Sequence, residues 1–402
     1  MNTIFARWCD KNIGKFVCFI LTVKCKIFDF FLKPAFNKKI SKILFIKLTE
    51  QGSSVLGYFA FKKAITYVGK ENIYFLVFSQ NRPILDILDV AEAKNIIEIK
   101  MDNVLVLFFS TLKALHRIRK EKIDICIDME FFMRFSAILS YCSGAPIRVG
   151  LHQFNSEGGY RGNLFTHKLL YNPYLNTKVF FLSLVEAIEK KTNLNKPLIF
   201  EIPSSERFDL PIFYPDEGEK IKLKQKIENL LRASLAKPIF IFHPNFSDPV
   251  PQRRWPFKNF ISLGSLLKKE FPKSTIIITG TDKEEKECLD MAKQIDNAVS
   301  LAGKTTLKEL LLLYYLADIL ITTDSGPAHF SSLTPIKTVV LFGPETPFLY
   351  EPISKNKIII YKQLICSPCI NVYNQKHSLC NNPLCLKSIG VNEVYQKIKE
   401  LL

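Results

Sequence analysis

From residue 41 onward, short uninterrupted apolar runs alternate with stretches whose apolar residues recur at helical spacing. Runs at 43–48, 73–78, 96–99 and 123–128 read as buried strands. Between them the spacing predicts a helix that follows the turn Gln51-Gly52-Ser53-Ser54 and ends near residue 68, a second at 104–120 and a third at 132–141. Strands that stay apolar at every position, separated by helices, predict a parallel sheet covered on both faces. Between 193 and 215 the pattern lapses into Pro-, Ser- and charge-rich sequence, as an interdomain linker does. It then restarts, with helices at 221–236, 256–270 and 306–316 and strands at 238–243, 274–279, 298–301, 319–323 and 338–342. The fold class is α/β, with two doubly wound halves, and the expected site lies beyond the carboxyl ends of the strands, in a cleft between the halves.

Ahead of the first strand lies a different pattern. Phe16, Phe19, Ile20, Val23, Ile27, Phe30 and Phe31 share one helical face, and Arg7, Lys11, Lys15, Lys24, Lys26 and Lys33 surround it. The longest uncharged apolar run, 16–23, is too short to span a bilayer, and the charged residues after it do not form a signal-peptide cleavage site. A basic amphipathic helix lying in an anionic membrane surface fits this pattern; a helix packed on the protein's own surface is the alternative. The chain thus divides into an interface segment 1–40, a first domain 41–200, a linker 201–215 and a second domain 216–402 with a cysteine-rich tail.

Composition narrows the functions available. Of 402 residues, 48% are apolar and 23% charged, which excludes disorder. Lys and Arg outnumber Asp and Glu by 55 to 38, and this surplus of +17 calls for a phosphorylated ligand, an anionic membrane or nucleic acid. The surplus is spread along the chain without an Arg-rich tract, so no nucleic-acid partner is expected.

The densest chemistry follows the strand at 319–323, in Ile321-Thr-Thr-Asp-Ser-Gly-Pro-Ala-His329. Gly326 permits close approach of a ligand, Pro327 suits the first helical position, and the N–H groups there favour phosphate. Taken alone, Asp-Ser-Gly-Pro reads better as a helix cap. Around it stand Leu301-Ala-Gly-Lys-Thr-Thr-Leu307, Leu341-Phe-Gly-Pro-Glu-Thr-Pro347, Arg253-Arg254-Trp255-Pro256 and the stretch from Gly280 to Glu285. With the opening Lys47-Leu-Thr-Glu-Gln-Gly-Ser-Ser-Val-Leu56, this order resembles glycosyltransferase family 9, the ADP-heptose:lipopolysaccharide heptosyltransferases.

That resemblance implies a GT-B fold of two Rossmann-like domains facing a cleft. The first domain would bind a lipopolysaccharide-core-like acceptor and the second a nucleotide-sugar, ADP-heptose above all. Transfer would be inverting, with no cofactor required, in an enzyme on the cytoplasmic face of a bacterial inner membrane. Carried over by position, Asp324 resembles an exposed loop carboxylate that holds donor hydroxyls, and Ser325 and Gly326 resemble a diphosphate cup. Arg253 matches the cation that stabilises the departing diphosphate. Glu284 or Glu285 would reach the ribose beside Gly280, while His329 and Lys304 fall near the donor.

In one place the chain departs from the family. The Gly-Asp whose Asp is the general base reads Gly52-Ser53 here. A serine needs another base, and Glu50 in the same turn or Glu130 beyond the fourth strand is available. Arg148 and Arg161 are candidate grips for an anionic acceptor. The missing Asp also leaves open a non-catalytic scaffold or sugar-nucleotide-binding protein. Finally, Cys366, Cys369, Cys380 and Cys385 have spacing that suggests a structural zinc site, with free thiols as the alternative.

Overall fold

The computed structural model describes residues 3–28, 40–154, 158–192, 196–204, 209, 211–245, 250–374 and 377–402. The chain divides into two compact units, Met1–Asp209 and Leu210–Leu402.

Among the described residues of the first unit are six strands: β1 (Ile43–Ile46), β2 (Ile73–Phe78), β3 (Ile96–Ile99), β4 (Ile125–Asp128), β5 (Ile147–Leu151) and β6 (His167–Leu169). They pair in parallel in the order β3-β2-β1-β4-β5-β6. The helices are α1 (Thr3–Phe28), α2 (Gln51–Leu56), α3 (Tyr58–Val68), α4 (Arg82–Leu88), α5 (Val104–Glu121), α6 (Arg134–Cys142) and α7 (Thr177–Glu186). Successive residues of β1 show why the strands stay apolar at every position. Leu44 and Ile46 join the core shared with Ala114 and Ile118 of α5 and Leu139 of α6. Phe45 points the other way, its ring 5.0 Å from that of Phe61 on α3.

The second unit repeats this topology. Its strands β7 (Ile239–His243), β8 (Thr275–Ile278), β9 (Ala298–Ser300), β10 (Ile319–Thr323), β11 (Lys337–Phe342) and β12 (Lys357–Tyr361) run in the order β12-β11-β10-β7-β8-β9. Its helices are α8 (Glu217–Leu231), α9 (Phe257–Glu270), α10 (Glu285–Ala292), α11 (Leu307–Leu316), α12 (Gly326–Phe330), α13 (Pro347–Tyr350), α14 (Leu384–Lys387) and α15 (Val391–Leu401). In both sheets the strand order reverses between the first and fourth strands, β1 with β4 and β7 with β10. Such a reversal opens a crevice at the carboxyl edge.

The structure differs from the sequence reading at residues 51–54, which are helical. Glu50 adopts a left-handed conformation at φ 61°, and this turns the chain sharply enough for α2 to begin at the next residue.

Helix α1 is built unlike an ordinary surface helix. Its buried positions are the small residues Gly14, Cys18 and Cys25, and it packs against α6. A Cβ on Gly14 would lie 2.9 Å from Cβ of Arg134, so only glycine allows that approach. Asp10 accepts hydrogen bonds from the backbone N–H groups of Arg134 (3.2 Å) and Phe135 (2.8 Å), the open amino end of α6. The bulky residues, among them Trp8, Phe16, Phe19 and Ile20, face outward. Phe30, Phe31 and Lys33, read as part of the same face, lie outside the described residues.

Candidate functional site

In the second unit the switch-point crevice is lined by charge. Arg253 ends a short helical turn, and the chain after it is pinned by Trp255, whose buried indole donates to the carbonyl of Ile389 at 3.0 Å. Thus anchored, the Arg253 guanidinium lies 3.7 Å from Oδ2 of Asp324 and 3.8 Å from Oε1 of Glu345. Asp324 follows β10 and Glu345 follows β11, so adjacent parallel strands deliver the two carboxylates to one edge. Asp324 is only 5% exposed, which corrects its reading as an exposed loop carboxylate. The nearby arginine offsets the desolvation of these acids, and both separations exceed hydrogen-bond length.

Ser325 donates to the Thr323 carbonyl at 3.1 Å and lies 3.1 Å from the Thr322 hydroxyl, and α12 starts at Gly326 with His329 buried in it. Glu284 is buried, and its carboxylate accepts from the Thr281 N–H (2.6 Å) and hydroxyl (2.9 Å) in a capping box. A Cβ on Gly280 would meet that carboxylate at 3.1 Å. Glu285 is turned outward and pairs at 3.7 Å with Lys304. Burial lowers the His243 imidazole at the end of β7 to about 4, against the opposing pull of Glu284.

In the first unit, β1 and β4 deliver a second charged group. Lys47 and Glu130 are both buried and pair at 3.2 Å. Glu130 also accepts from the Thr49 N–H and hydroxyl, each at 2.9 Å, so three donors converge on it. Beneath them Arg161, fully buried, donates to Asp128 and, at 2.9 Å, to Ser136. Burial pushes the Asp128 carboxyl up to about 6 against the pull of Arg161. Arg161 therefore braces the ends of β4 and β5 from below, where it does not reach an acceptor in solvent.

Arg148 is likewise internal. Its Nε donates to Leu164 and its Nη1 to Ala145, so it fastens the β5–β6 connection. Ser53, beside Gly52 in α2, is buried and donates to the Glu50 carbonyl at 2.8 Å. Glu50 itself is exposed.

Sequence reasoning did not single out Glu345 or Lys47 as site residues. Their signals were a glutamate just past a strand end and a lysine in an otherwise apolar run. The cysteines divide: Cys366 is exposed, whereas Cys385 is buried and its thiol is raised to about 11, first by burial and then by neighbouring Cys369, Cys366 and Cys380. Among the described residues no three His, Cys, Asp or Glu side chains converge on a metal-sized site.

A family model described as glycosyltransferase family 9 (heptosyltransferase) matches residues 111–379. Among curated relatives, a lipooligosaccharide heptosyltransferase 2 of Campylobacter jejuni is 30% identical over 188 residues, which is 45% of this chain and 57% of that protein. The chain thus spans a little over half the length of that relative. A lipopolysaccharide heptosyltransferase 1 of Campylobacter coli is 24% identical over 72% of this chain and 80% of its own length. Among solved structures, Escherichia coli ADP-heptose LPS heptosyltransferase II superposes with a TM-score of 0.67 at 19% identity, covering 90% of this chain and 98% of that one. This likeness extends the GT-B fold over both units, and the sequence match runs from α5 into the cysteine-rich tail. The chain belongs to glycosyltransferase family 9, the heptosyltransferase family.

Proposed function

We propose that this protein transfers a heptosyl group, with inversion, from ADP-heptose to a lipopolysaccharide-core acceptor. The observation that carries the reading is Arg253 held between the strand-end carboxylates Asp324 and Glu345 in a chain of this family. The carboxylates suit sugar hydroxyls, which donate to them. A guanidinium suits the charge that develops on a departing diphosphate, and with Ser325 and the N–H groups around Gly326 it would supply that stabilisation without a metal ion. In the first unit, Glu50 takes the proton of the acceptor hydroxyl. It is exposed at the carboxyl edge, whereas Glu130 is filled by Lys47 and Thr49. The enzyme works at the cytoplasmic face of the inner membrane and rests on it through α1. Among the described residues no helix is long and apolar enough to cross a membrane.

The test is transfer itself. Incubated with ADP-heptose and a heptose-deficient core acceptor, the protein should yield product heavier by one heptose in mass spectrometry. Asp324→Asn, which keeps the side-chain shape, should lower kcat/KM by roughly two to three orders of magnitude with an unchanged circular-dichroism spectrum. Donor binding without turnover by the unmodified protein would instead favour the non-catalytic alternative that Ser53 leaves open.

A further inference from the structure

Helix α5 carries an apolar surface that its own fold does not use. Ala114 and Ile118 are buried against the sheet and α6, and they belong to the second half of the helix. In the first half, Val104, Leu105, Phe108, Phe109 and Leu112 are exposed, Leu105 by 69% and Phe109 by 64%. The rings of Phe108 and Phe109 stand edge to face at 5.5 Å. A continuous exposed patch of this kind marks a contact surface.

Its position and charge indicate what it contacts. Because α5 follows β3, its apolar half begins at the carboxyl edge of the first sheet, the edge that carries Glu50 and Glu130. Both α5 and α6 cover one face of that sheet, and α1 lies against α6 with Asp10 at the amino end of α6, at the same edge. Phe5 and Trp8, exposed and ahead of Asp10, therefore stand at that same edge of the sheet. Both helices are basic. Residues 100–121 contain Lys100, Lys113, Arg117, Arg119 and Lys120 against two acids, Asp102 and Glu121, the second of which pairs with Lys42 at 2.9 Å. Helix α1 contains five cations against Asp10, which is turned inward onto α6.

We propose that the first turns of α5 and the outward face of α1 form one docking surface for a bilayer containing anionic phospholipid. Aromatic and aliphatic side chains enter the boundary between headgroups and acyl chains while the flanking cations meet lipid phosphates. The acceptor-side edge is then held against the membrane, where a lipid-anchored acceptor presents its sugars. Only this last consequence rests on the functional reading above.

The experiment is flotation of the full chain with vesicles of phosphatidylcholine containing about one-third phosphatidylglycerol, and with pure phosphatidylcholine. The unmodified protein should float with the anionic vesicles. The double variant Phe108→Ser/Phe109→Ser should lose at least about tenfold in partitioning, with unchanged circular dichroism and melting temperature. Phe108→Glu/Phe109→Glu should lose more. Equal flotation of the serine variant overturns the proposal, as does equal binding of the unmodified protein to neutral vesicles. A dimer in solution that the serine variant dissociates, without vesicle binding by either protein, would assign the patch to a second copy and also overturn it. Transfer to a delipidated core oligosaccharide, measured in parallel, reads the glycosyltransferase assignment separately, since Phe108 and Phe109 have no part in the chemistry.

Discussion

Two glutamates near one sheet edge, in opposite surroundings, make the search for a base a question of access. Glu130 is 5% exposed and holds Lys47 and Thr49 in place, whereas Glu50 stands at the surface in a backbone turn that no ordinary helix start requires. General-base removal then distinguishes them. Glu50→Gln should lower kcat by roughly two to four orders of magnitude with donor affinity little changed. Glu130→Gln keeps the shape but leaves the buried Lys47 ammonium without its counter-charge. Its expected mark is therefore a fall in melting temperature, of roughly 3–5 kcal/mol in stability, accompanying any loss of rate. A crippled rate with unchanged melting in Glu130→Gln, beside a silent Glu50→Gln, would reverse the two roles. Ser53 needs no such test, because its hydroxyl is already spent on the Glu50 carbonyl.

Among elements, the strands that could be read directly from the sequence are those with uninterrupted apolar runs. β1, β2 and β7 qualify because each has a core on both sides. β5 escaped because Arg148 interrupts Ile-Arg-Val-Gly-Leu, and only the fold reveals that carbonyls await its guanidinium. β6 is three residues long and contains His and Lys. The same limit applies to the site. Asp324 and Arg253 were legible through their motifs, but Glu345 becomes a partner of Arg253 only when β10 and β11 lie side by side. Helix α1 was legible as amphipathic, yet nothing in its spacing showed that the small side faces in. That inward side makes a prediction. α6 begins at Arg134 without a cap from its own chain neighbour Met133, and Asp10 supplies one from a distant part of the sequence. Asp10→Ala should cost about 0.5–2 kcal/mol and speed hydrogen exchange in α1 and the first turn of α6 alike.

For the molecule as a whole, buried histidines set the response to acid. His167 on β6 is 1% exposed; burial, aided by Arg148, lowers its imidazole to about 4. The unfolded chain takes up that proton near pH 6.5, while the folded one resists until about 4. Stability contributed by this group is therefore complete above the unfolded value and declines as pH falls from about 6.5 towards 4, by up to about 1.4 kcal/mol per pH unit. His243 in the second unit acts in the same direction. Melting temperature should drop between pH 7 and pH 5 although the raised Asp128 carboxyl opposes part of the fall, and His167→Gln should lessen that drop.

The glycine of α1 has a consequence for anyone who would rebuild this protein. An amphipathic helix is usually interchangeable, since lipid reads little more than its apolar face and its charge. Here the opposite side is a fitted part, with Gly14 against Arg134, Asp10 on α6 and Thr22 accepting from the N–H of Asn163 at 2.8 Å. A chimera in which an unrelated amphipathic helix replaces residues 3–28 should bind vesicles as well as the parent but melt earlier, and restoring the residues at 10, 14, 18, 22 and 25 should recover the lost stability. The outward face proposed to meet lipid and the inward brace lie on opposite sides of one helix, so each can be redesigned without touching the other.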